Sequence, residues 1–355
     1  SRGFTPQSVR LEHSVAKIID QQRRNGFELD TKKAMMLVAM FQDKLTQVEA
    51  TVHETFKPKV IVQELYPKYT KSGALSKLGQ DFDNRGVRLT DDEWAEMNKT
   101  KTYVTRRTPV PFNLGSRKQI GEYLVDAGWK PKNFTPTGQP IVDEGTLSRV
   151  KGIPEAALIA EYLMLQKRLA QVNSWLKALE PDNRIRGYVN HNGAVTGRMT
   201  HSHPNTAQIP STNSPYGKEC RECWTVKDGN QLVGIDASGL ELRMLAHYMN
   251  DEGYTNEILN GDIHTTNQKL AGLESRNQAK TFIYALLYGA GDAKLGSVVG
   301  RGRQEGKGLK QRFFDGLPSF KILKDRVSGK AKSGFVKALD GRRLTVRSEH
   351  SALNT

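Results

Sequence analysis

The sequence predicts an α+β protein, and three observations support that prediction. Apolar patterns with helical spacing fill most of the first 180 residues. After Asp182, short apolar runs typical of strands alternate with helical segments that end at glycine. The composition, with 37% hydrophobic residues, 26% charged residues and a mean hydropathy of −0.58, is that of a folded globular chain and excludes a disordered one.

Individual elements follow from these patterns and from their start and stop signals. Asn25-Gly26 ends the first helical pattern, and Asp30 is a suitable N-cap for the second. Residues 57–108 show no sustained period, so we expect an insertion of short elements or mobile loops. The predicted helices cover residues 8–24, 30–56, 116–127, 154–179, 240–249, 256–259, 264–273 and 276–288. The predicted strands cover residues 185–189 and 231–236, with a hairpin at 338–346.

The net charge of +15, from 53 basic and 38 acidic residues, indicates a polyanionic partner. Residues 276–350 alone carry 17 basic and 6 acidic side chains, a concentration that a merely solubilising surface does not explain. No stretch approaches the roughly 20 apolar residues of a membrane-spanning helix. Two cysteines, Cys220 and Cys223, exclude a disulfide framework and fit a reducing compartment.

Two groups of residues are candidates for chemistry. Asp236 ends a predicted strand, where a carboxylate is well placed to bind a divalent cation, although it could equally serve as the N-cap of the next helix. Four residues spaced four positions apart share one face of a helix: Arg276, Lys280, Tyr284 and Tyr288. Two cations at a helix N-terminus oppose its dipole, which makes sense if a phosphate chain binds there. The alternative is an amphipathic core helix whose cations reach the solvent.

Several ordered motifs resemble those of the family A DNA polymerases, the Pol I-like group, over essentially the whole chain. They are DASGLELR at 236–243, RNQAKTFIYALLYG at 276–289, Thr196-Gly197-Arg198, Pro204-Asn205, Gln208-Ile209-Pro210 and Gly261-Asp262-Ile263-His264. Within the family, these motifs are most similar to the short podoviral replicative polymerases that recruit thioredoxin. The resemblance implies a right-hand polymerase fold, with helical thumb and fingers and an incomplete antiparallel palm sheet.

The resemblance also implies a division of the chain into polymerase domains. The thumb would cover residues 1–180, with an insertion at about 57–108. The first part of the palm, with motif A, would cover 181–250, and the fingers, with the O helix, would cover 251–335. Residues 336–355 would begin the return to the palm.

The family's reaction is the template-directed transfer of a deoxynucleotide from a dNTP to a primer 3′-hydroxyl, with two magnesium ions that manganese can replace. By resemblance, Asp236 would be the catalytic carboxylate and would bind both ions, with the carbonyl of Ala237 as a further ligand. The triphosphate would lie against His264, Arg276 and Lys280.

Further implied roles concern the sugar and the DNA. Glu241 would be the steric gate that crowds a ribose 2′-hydroxyl, and Tyr284 would pack at the sugar 3′ position. Tyr288 and Gly289 would border the templating base, while Arg198 would read the minor groove near the primer end. Two residues of a later motif would line the primer-template, His350 and Asn354.

The sequence departs from the family pattern in two respects. No exonuclease domain precedes the implied thumb, and the His-Asp-Glu motif that holds the second metal-binding carboxylate is not found after Asp236. One carboxylate poorly supports two adjacent cations. We therefore expect polymerisation only when a second chain completes the palm, and a further chain could carry the exonuclease. The alternatives are a cloned or proteolysed fragment and a DNA-binding, catalytically inactive remnant. Glu241 argues against a single-subunit RNA polymerase, which needs room for a 2′-hydroxyl.

Partners and location also follow from the resemblance. The insertion lies where thioredoxin-recruiting relatives carry a processivity insertion, so it could bind thioredoxin, another clamp or duplex DNA, or be a plain surface loop. Cys220 and Cys223, with His201 and His203 upstream, could suggest zinc, but the family uses this stretch without metal. A phage polymerase would act in the cytoplasm of an infected bacterial host, without a membrane partner.

Overall fold

A computed structural model describes residues 3–347 and 352–353 of the chain. The chain forms two compact units. The first unit consists of Ser1–Asp30, Ala178–Ser211 and Trp224–Thr355, and the second of Thr31–Lys177 and Thr212–Cys223. No helix among the described residues is both long enough and apolar enough to cross a membrane.

The fold is α+β, as the sequence predicts, with helices joined by short antiparallel strand pairs. The helices are α1 Pro6–Asn25, α2 Thr31–Thr55, α3 Asp91–Thr100, α4 Arg117–Asp126, α5 Glu144–Leu147, α6 Pro154–Lys177, α7 Gly217–Glu222, α8 Leu240–Met249, α9 Glu252–Asn260, α10 Ile263–Ala271, α11 Arg276–Leu287, α12 Asp292–Ser297, α13 Arg303–Gly316 and α14 Pro318–Ala331. The strands are β1 Phe27–Leu29, β2 Lys59–Leu65, β3 Leu78–Gln80, β4 Gly86–Arg88, β5 Val104–Val110, β6 Arg184–Ile185, β7 Tyr188–Asn190, β8 Thr200–Ser202, β9 Trp224–Thr225, β10 Phe335–Lys337 and β11 Arg343–Thr345.

The predicted helices are confirmed, with ends that differ by a few residues. The largest difference is α9, which begins at Glu252 because the Asp251 side chain caps it by accepting a hydrogen bond from the Tyr254 amide at 2.9 Å. The predicted hairpin at 338–346 is also confirmed: β10 and β11 pair antiparallel, and Gly341 takes the positive φ of 80° that its turn requires.

The strand predicted at residues 231–236 is wrong. Residues 231–237 have no regular secondary structure, and their apolar side chains are exposed, to 77% at Val233 and 95% at Ile235. The apolar run has the composition of a buried strand, but a strand needs a neighbour for its backbone hydrogen bonds. None of the described strands pairs with this run.

In the first unit, a helical core holds α8, α10, α11, α13 and α14 together. The rings of Phe282, Phe313 and Phe320 are fully buried, with centroids 5.7 Å apart between Phe282 and Phe313 and 5.4 Å apart between Phe313 and Phe320. Edge-to-face packing of this kind fixes the orientation of the helices as well as their burial. The core thereby sets which face of α11 is left outside it.

In the second unit, α2 packs against α6, and the insertion forms a small structure with its own core. Strands β2 and β5 pair along their full length, from Lys59 opposite Val110 to Leu65 opposite Val104. The expected short elements are thus present, although as an ordered αβ structure and not as loops. Its buried side chains are Leu65, Leu89, Met97 and Val104.

An ion pair joins α3 to β5 within the insertion. The Arg106 guanidinium donates two hydrogen bonds to the Glu93 carboxylate, at 2.7 and 2.5 Å, and both side chains are largely buried. The carboxylate also accepts a hydrogen bond from the Thr90 amide in the capping box of α3. Mainly because of the bonds from Arg106, the pKa of Glu93 is lowered from 4.5 to about 2.

We predict that this pair makes the insertion sensitive to acid. A depressed carboxyl pKa stabilises the fold fully above pH 4.5, and that stabilisation is lost as the pH falls toward 2. Glu93→Gln keeps the capping box, so it should lower the free energy of unfolding at neutral pH by about 1 kcal/mol, with a difference that shrinks below pH 4.5. Urea unfolding across this pH range measures the effect. Glu96→Gln, at an exposed position of the same helix, is the control and should show no such trend.

Candidate functional site

The site is built around α11, whose two faces have different surroundings. Ser275 and Gln278 form a capping box at its N-terminus. One face is buried in the core through Ala279, Phe282, Ile283, Leu286 and Leu287. The four predicted side chains form a stripe that begins beside this face and turns away from it; Arg276, Lys280 and Tyr288 are exposed and Tyr284 is half-buried. The core therefore buries the apolar face and part of Tyr284, whereas Arg276 and Lys280 lie outside it.

The Arg276 guanidinium is held by an acid from the preceding helix. Its Nε donates a hydrogen bond to Oδ2 of Asp262 at 2.7 Å. The same carboxylate caps α10 by accepting bonds from the His264 amide at 3.1 Å and the Thr265 hydroxyl at 2.8 Å. Chiefly because of the bond from Arg276, the pKa of Asp262 lies well below its usual range, so the group is ionised at neutral pH.

His264 lies on α10 beside these cations. Its Nδ1 is buried and has no partner among the described residues, and its ring centroid is 6.4 Å from that of Tyr284. Burial and the nearby charges of Arg276 and Lys280 lower its pKa below 6.5, an effect that Asp262 partly offsets. The imidazole is therefore neutral at neutral pH. A bound anion would favour its protonation.

Lys280 is exposed one turn beyond Arg276 and makes no hydrogen bond or ion pair within residues 3–347. Tyr284 follows on the same face, and its hydroxyl is likewise without a partner there. Its pKa is raised by burial and by the nearby Glu241 and Tyr288, so the hydroxyl stays protonated and can donate a hydrogen bond. This face of α11 offers cations at one end and aromatic hydroxyls at the other.

Three of the predicted residues meet at the far end of α11. The Tyr288 hydroxyl donates a hydrogen bond to Glu241 at 3.2 Å and accepts one from Arg198 at 3.3 Å, and Arg198 also lies 3.7 Å from Glu241. The Arg198 guanidinium is 5.6 Å from the centre of the Tyr288 ring. Gly289, with a φ of 76°, ends the helix directly after this cluster. The sequence places these residues far apart, at 198, 241 and 288.

Asp236 lies apart from these contacts in the exposed segment 231–237. The N-cap of α8 is Gly239, in a left-handed conformation with a φ of 58°, and no side chain caps that helix. The alternative role of Asp236 as the helix N-cap is therefore wrong. Within the described part of the chain, its carboxylate makes no hydrogen bond or ion pair.

The described residues offer few ligands for the predicted metal ions. The described residues contain no group of three or more His, Cys, Asp or Glu side chains that could hold a metal ion. Burial raises the pKa of the Cys220 thiol to about 11, which disfavours the thiolate that a zinc ligand requires. Asp236 and the backbone of Ala237 provide oxygen ligands, which magnesium prefers. Together they offer one carboxylate, and two ions need more than that.

An apolar cavity of about 710 Å³ lies beside the cluster of Arg198, Glu241 and Tyr288, and these three residues contribute to its wall. Much of the remaining wall is apolar and includes Leu240 and Met244 of α8. The predicted primer-template residues of the later motif lie outside the described part of the chain, His350 and Asn354.

The arrangement is typical of a site for a phosphate-bearing ligand with a flat or sugar-like remainder. Residues 87–354 match the family model described as "DNA polymerase family A". This chain belongs to DNA polymerase family A.

Two curated relatives are DNA-directed DNA polymerases of Enterobacteria phage T3 and Escherichia phage T7. Each is 40% identical to the chain over 406 residues, which include 98% of this chain and 57% of the relative. The chain thus spans just over half the length of these relatives. A more distant relative, a thermostable DNA polymerase I of Thermus filiformis, is 30% identical over 368 residues, covering 91% of this chain and 44% of the relative.

The fold is shared with a solved structure of the POL domain of Pol1 from M. smegmatis, which is in complex with DNA primer-template and dNTP. The TM-score is 0.74 at 20% identity, over 97% of this chain and 56% of that one. This likeness confirms the predicted polymerase fold.

Sequence reasoning gave no role to Asp262, although the structure places it against Arg276. Two signals mark it: its position just before the helix predicted at 264–273, which is typical of an N-cap, and its place in the motif at 261–264. Nothing in the periodicity indicates that it also reaches a residue 14 positions further along. The contacts among Arg198, Glu241 and Tyr288 are equally invisible in the sequence, although each residue was a separate candidate.

We predict that the pKa of His264 reports the charge of this site. It should lie below 6.5 in the wild type, and Arg276→Gln should raise it by removing a nearby positive charge. Two-dimensional NMR of the histidine ring protons against pH measures both values. The control is Lys321→Gln, which removes a positive charge from α14, far from His264 in the sequence. An unchanged pKa in Arg276→Gln would contradict the electrostatic argument.

Proposed function

We propose that this chain provides the thumb, the fingers and part of the palm of a phage replicative DNA polymerase. The observation that carries the proposal is the outward face of α11, where Arg276, Lys280, Tyr284 and Tyr288 lie in that order. Family membership and the named activity of the phage relatives support it. The reaction would be template-directed addition of a deoxynucleotide to a primer 3′-hydroxyl.

In this proposal the triphosphate lies against the N-terminal half of α11. Arg276 and Lys280 neutralise its charge, and the amides at the helix N-terminus add to the positive potential. His264 becomes protonated as the anion approaches, because a negative charge raises the pKa of an imidazole. Arg276 can bind two phosphate oxygens at once through its planar guanidinium, whereas Lys280 acts as a mobile point charge.

The sugar and bases lie further along the same face. Tyr284 packs at the sugar 3′ position, and its protonated hydroxyl can donate a hydrogen bond there. Glu241 crowds the 2′ position, which favours deoxyribose and argues against an RNA polymerase. At the helix end, Tyr288 and Gly289 border the templating base. Arg198 must leave Glu241 and Tyr288 to reach the minor groove.

DNA would be bound largely through its phosphates. The positive charge concentrated after residue 276 supplies the contacts, and His350 and Asn354 would add contacts along the primer-template. The M. smegmatis protein with this fold binds primer-template and dNTP together, which supports the same pair of ligands here.

The proposed chemistry needs a second carboxylate. Asp236 and the Ala237 carbonyl would supply ligands to magnesium, or to manganese in its place, and the ions would activate the primer hydroxyl and stabilise the charge on the phosphates. The described residues do not fit two ions by themselves. We therefore propose that a complementary palm segment supplies the missing acid.

The exposed apolar run at 231–236 supports such a partner. Val233 and Ile235 are exposed to 77% and 95%, and an extended apolar run with unpaired backbone groups is a ready template for a strand of another segment. The alternative, a catalytically inactive DNA-binding remnant, would have no palm segment that restores activity.

The insertion at 57–108 would contact a processivity factor. Strand β2 exposes three consecutive apolar side chains, Val60, Ile61 and Val62, which favour a protein partner such as thioredoxin or another clamp over duplex DNA. We place the assembled polymerase in the cytoplasm of an infected bacterial host.

We predict that the purified chain binds primer-template DNA but does not extend it. Because phosphate contacts dominate, the affinity should fall about tenfold or more between ~50 and ~200 mM salt. Fluorescence anisotropy measures binding, and a primer-extension gel measures synthesis. Adding a palm segment with the His-Asp-Glu motif should restore extension, and robust synthesis by the chain alone would contradict the need for a second carboxylate.

We predict that in the restored complex Asp236→Ala abolishes extension but leaves DNA binding nearly unchanged.

We predict that Tyr284 controls the use of dideoxynucleotides. Its hydroxyl can replace the hydrogen bond that a missing 3′-hydroxyl would make, so the restored complex should use both nucleotide types at similar rates. Tyr284→Phe should discriminate against dideoxynucleotides by at least about tenfold, since a lost hydrogen bond to a buried group costs roughly 1–3 kcal/mol. Chain-termination assays with both variants measure the ratio. The control is Tyr254→Phe, at a buried tyrosine on α9. Equal ratios of dideoxynucleotide to deoxynucleotide use in Tyr284→Phe and in the wild type would leave Tyr284 with a packing role only.

A further inference from the structure

One carboxylate links the N-termini of the two helices that carry the proposed phosphate-binding residues. Asp262 accepts hydrogen bonds from the backbone of His264 and from the side chain of Thr265 on α10. It also accepts the Nε–H of Arg276, the first residue of α11, at 2.7 Å. Asp262 therefore binds the same guanidinium that, in the proposed function, binds the triphosphate.

The contact between the two side chains is suited to exchange. The Asp262 and Arg276 side chains are 44% and 53% exposed, so water screens their attraction, and exposed pairs of this kind are weak. A phosphate oxygen accepts the same N–H bonds and carries more charge, so a triphosphate can displace the carboxylate. Asp262 would not need to move far, because its bonds to α10 hold it in place.

The acid also opposes the potential of the site. Arg276, Lys280 and the N-terminus of α11 attract an anion, whereas an ionised carboxylate beside Arg276 repels one. His264 is neutral in the free chain, so it does not offset that repulsion. Removing the charge of Asp262 should therefore both free Arg276 and strengthen the attraction.

We propose that Asp262 is an internal competitor of the nucleotide phosphates for Arg276. This inference rests on the proposed function and adds a positioning residue that acts through Arg276. In the free chain, Asp262 holds the guanidinium in an ordered position. When a triphosphate enters, it displaces Asp262, and the carboxylate remains ready to regain Arg276 when pyrophosphate leaves. The pair thus lowers the affinity for nucleotide and for pyrophosphate together.

The test is calorimetric binding of inorganic tripolyphosphate, without divalent metal, to the full 355-residue chain. Tripolyphosphate carries the proposed triphosphate chemistry without base or sugar. Asp262→Asn removes the charge but keeps a side chain that caps helices as well as Asp does. It should bind tripolyphosphate about five-fold more tightly, the upper end of what an exposed ion pair contributes.

Two controls separate competition from other effects. Asp251→Asn removes the charge of a second N-cap aspartate in the same unit, which bonds to the Tyr254 amide and the Ser319 hydroxyl and not to Arg276. Its affinity should equal that of the wild type. In an Arg276→Gln background, Asp262→Asn should tighten binding by clearly less, because the guanidinium for which it competes is gone and only the general loss of negative charge remains.

The outcomes distinguish failure of the competitor role from failure of the proposed nucleotide site. If binding depends on Arg276 and Lys280 but Asp262→Asn binds equally or more weakly, the competitor role is overturned and the proposed nucleotide site stands. If the gain persists undiminished in the Arg276→Gln background, the effect is a general one of charge and the competitor role is again overturned. If neither the wild type nor Asp262→Asn binds tripolyphosphate, both proposals fall. Far-UV circular dichroism of each variant verifies that the total helix content is unchanged.

Discussion

The burial of one face of α11 is the constraint on which the rest of the site depends. Phe282, Ile283 and Leu286 anchor that face among α8, α10 and α13, and the helix cannot rotate without exposing them. At 3.6 residues per turn, residues spaced four apart then follow one another along a single stripe, in the order Arg276, Lys280, Tyr284 and Tyr288. An apolar core therefore determines where a polar ligand can lie.

Electrostatics then distinguishes the two ends of this face. At its N-terminus, cations and helix amides create a positive field that is moderated by one carboxylate, and the neutral His264 adds no charge to it. At its C-terminus, Glu241 and Arg198 meet across Tyr288 and largely cancel each other. A ligand that is strongly anionic at one end and nearly uncharged at the other matches this gradient, and a nucleotide is such a ligand.

Sequence reasoning succeeded where local patterns dominate and failed where long-range contacts decide. The period of α11 and the hairpin around Gly341 follow from short stretches of sequence, and the structure contains both. The strand predicted at 231–236 failed because pairing depends on a neighbour that the run itself cannot specify. The pairing of Asp262 with Arg276 could not be predicted either, since it depends on the angle between α10 and α11. The sequence does not predict the folded core of the insertion, because its helix and strands are too short to show a clear hydrophobic period.

The exposed run at 231–235 has a consequence for the solubility of the chain. Leu232, Val233 and Ile235 form a short segment of high β-propensity, and such segments promote self-association when they are open to solvent. Charged residues beside such a segment act as gatekeepers, because stacked copies would bring like charges together. Asp236 occupies that place directly after Ile235. Its carboxylate therefore helps to keep free chains apart, and a neutral side chain there would remove this protection together with any role in metal binding.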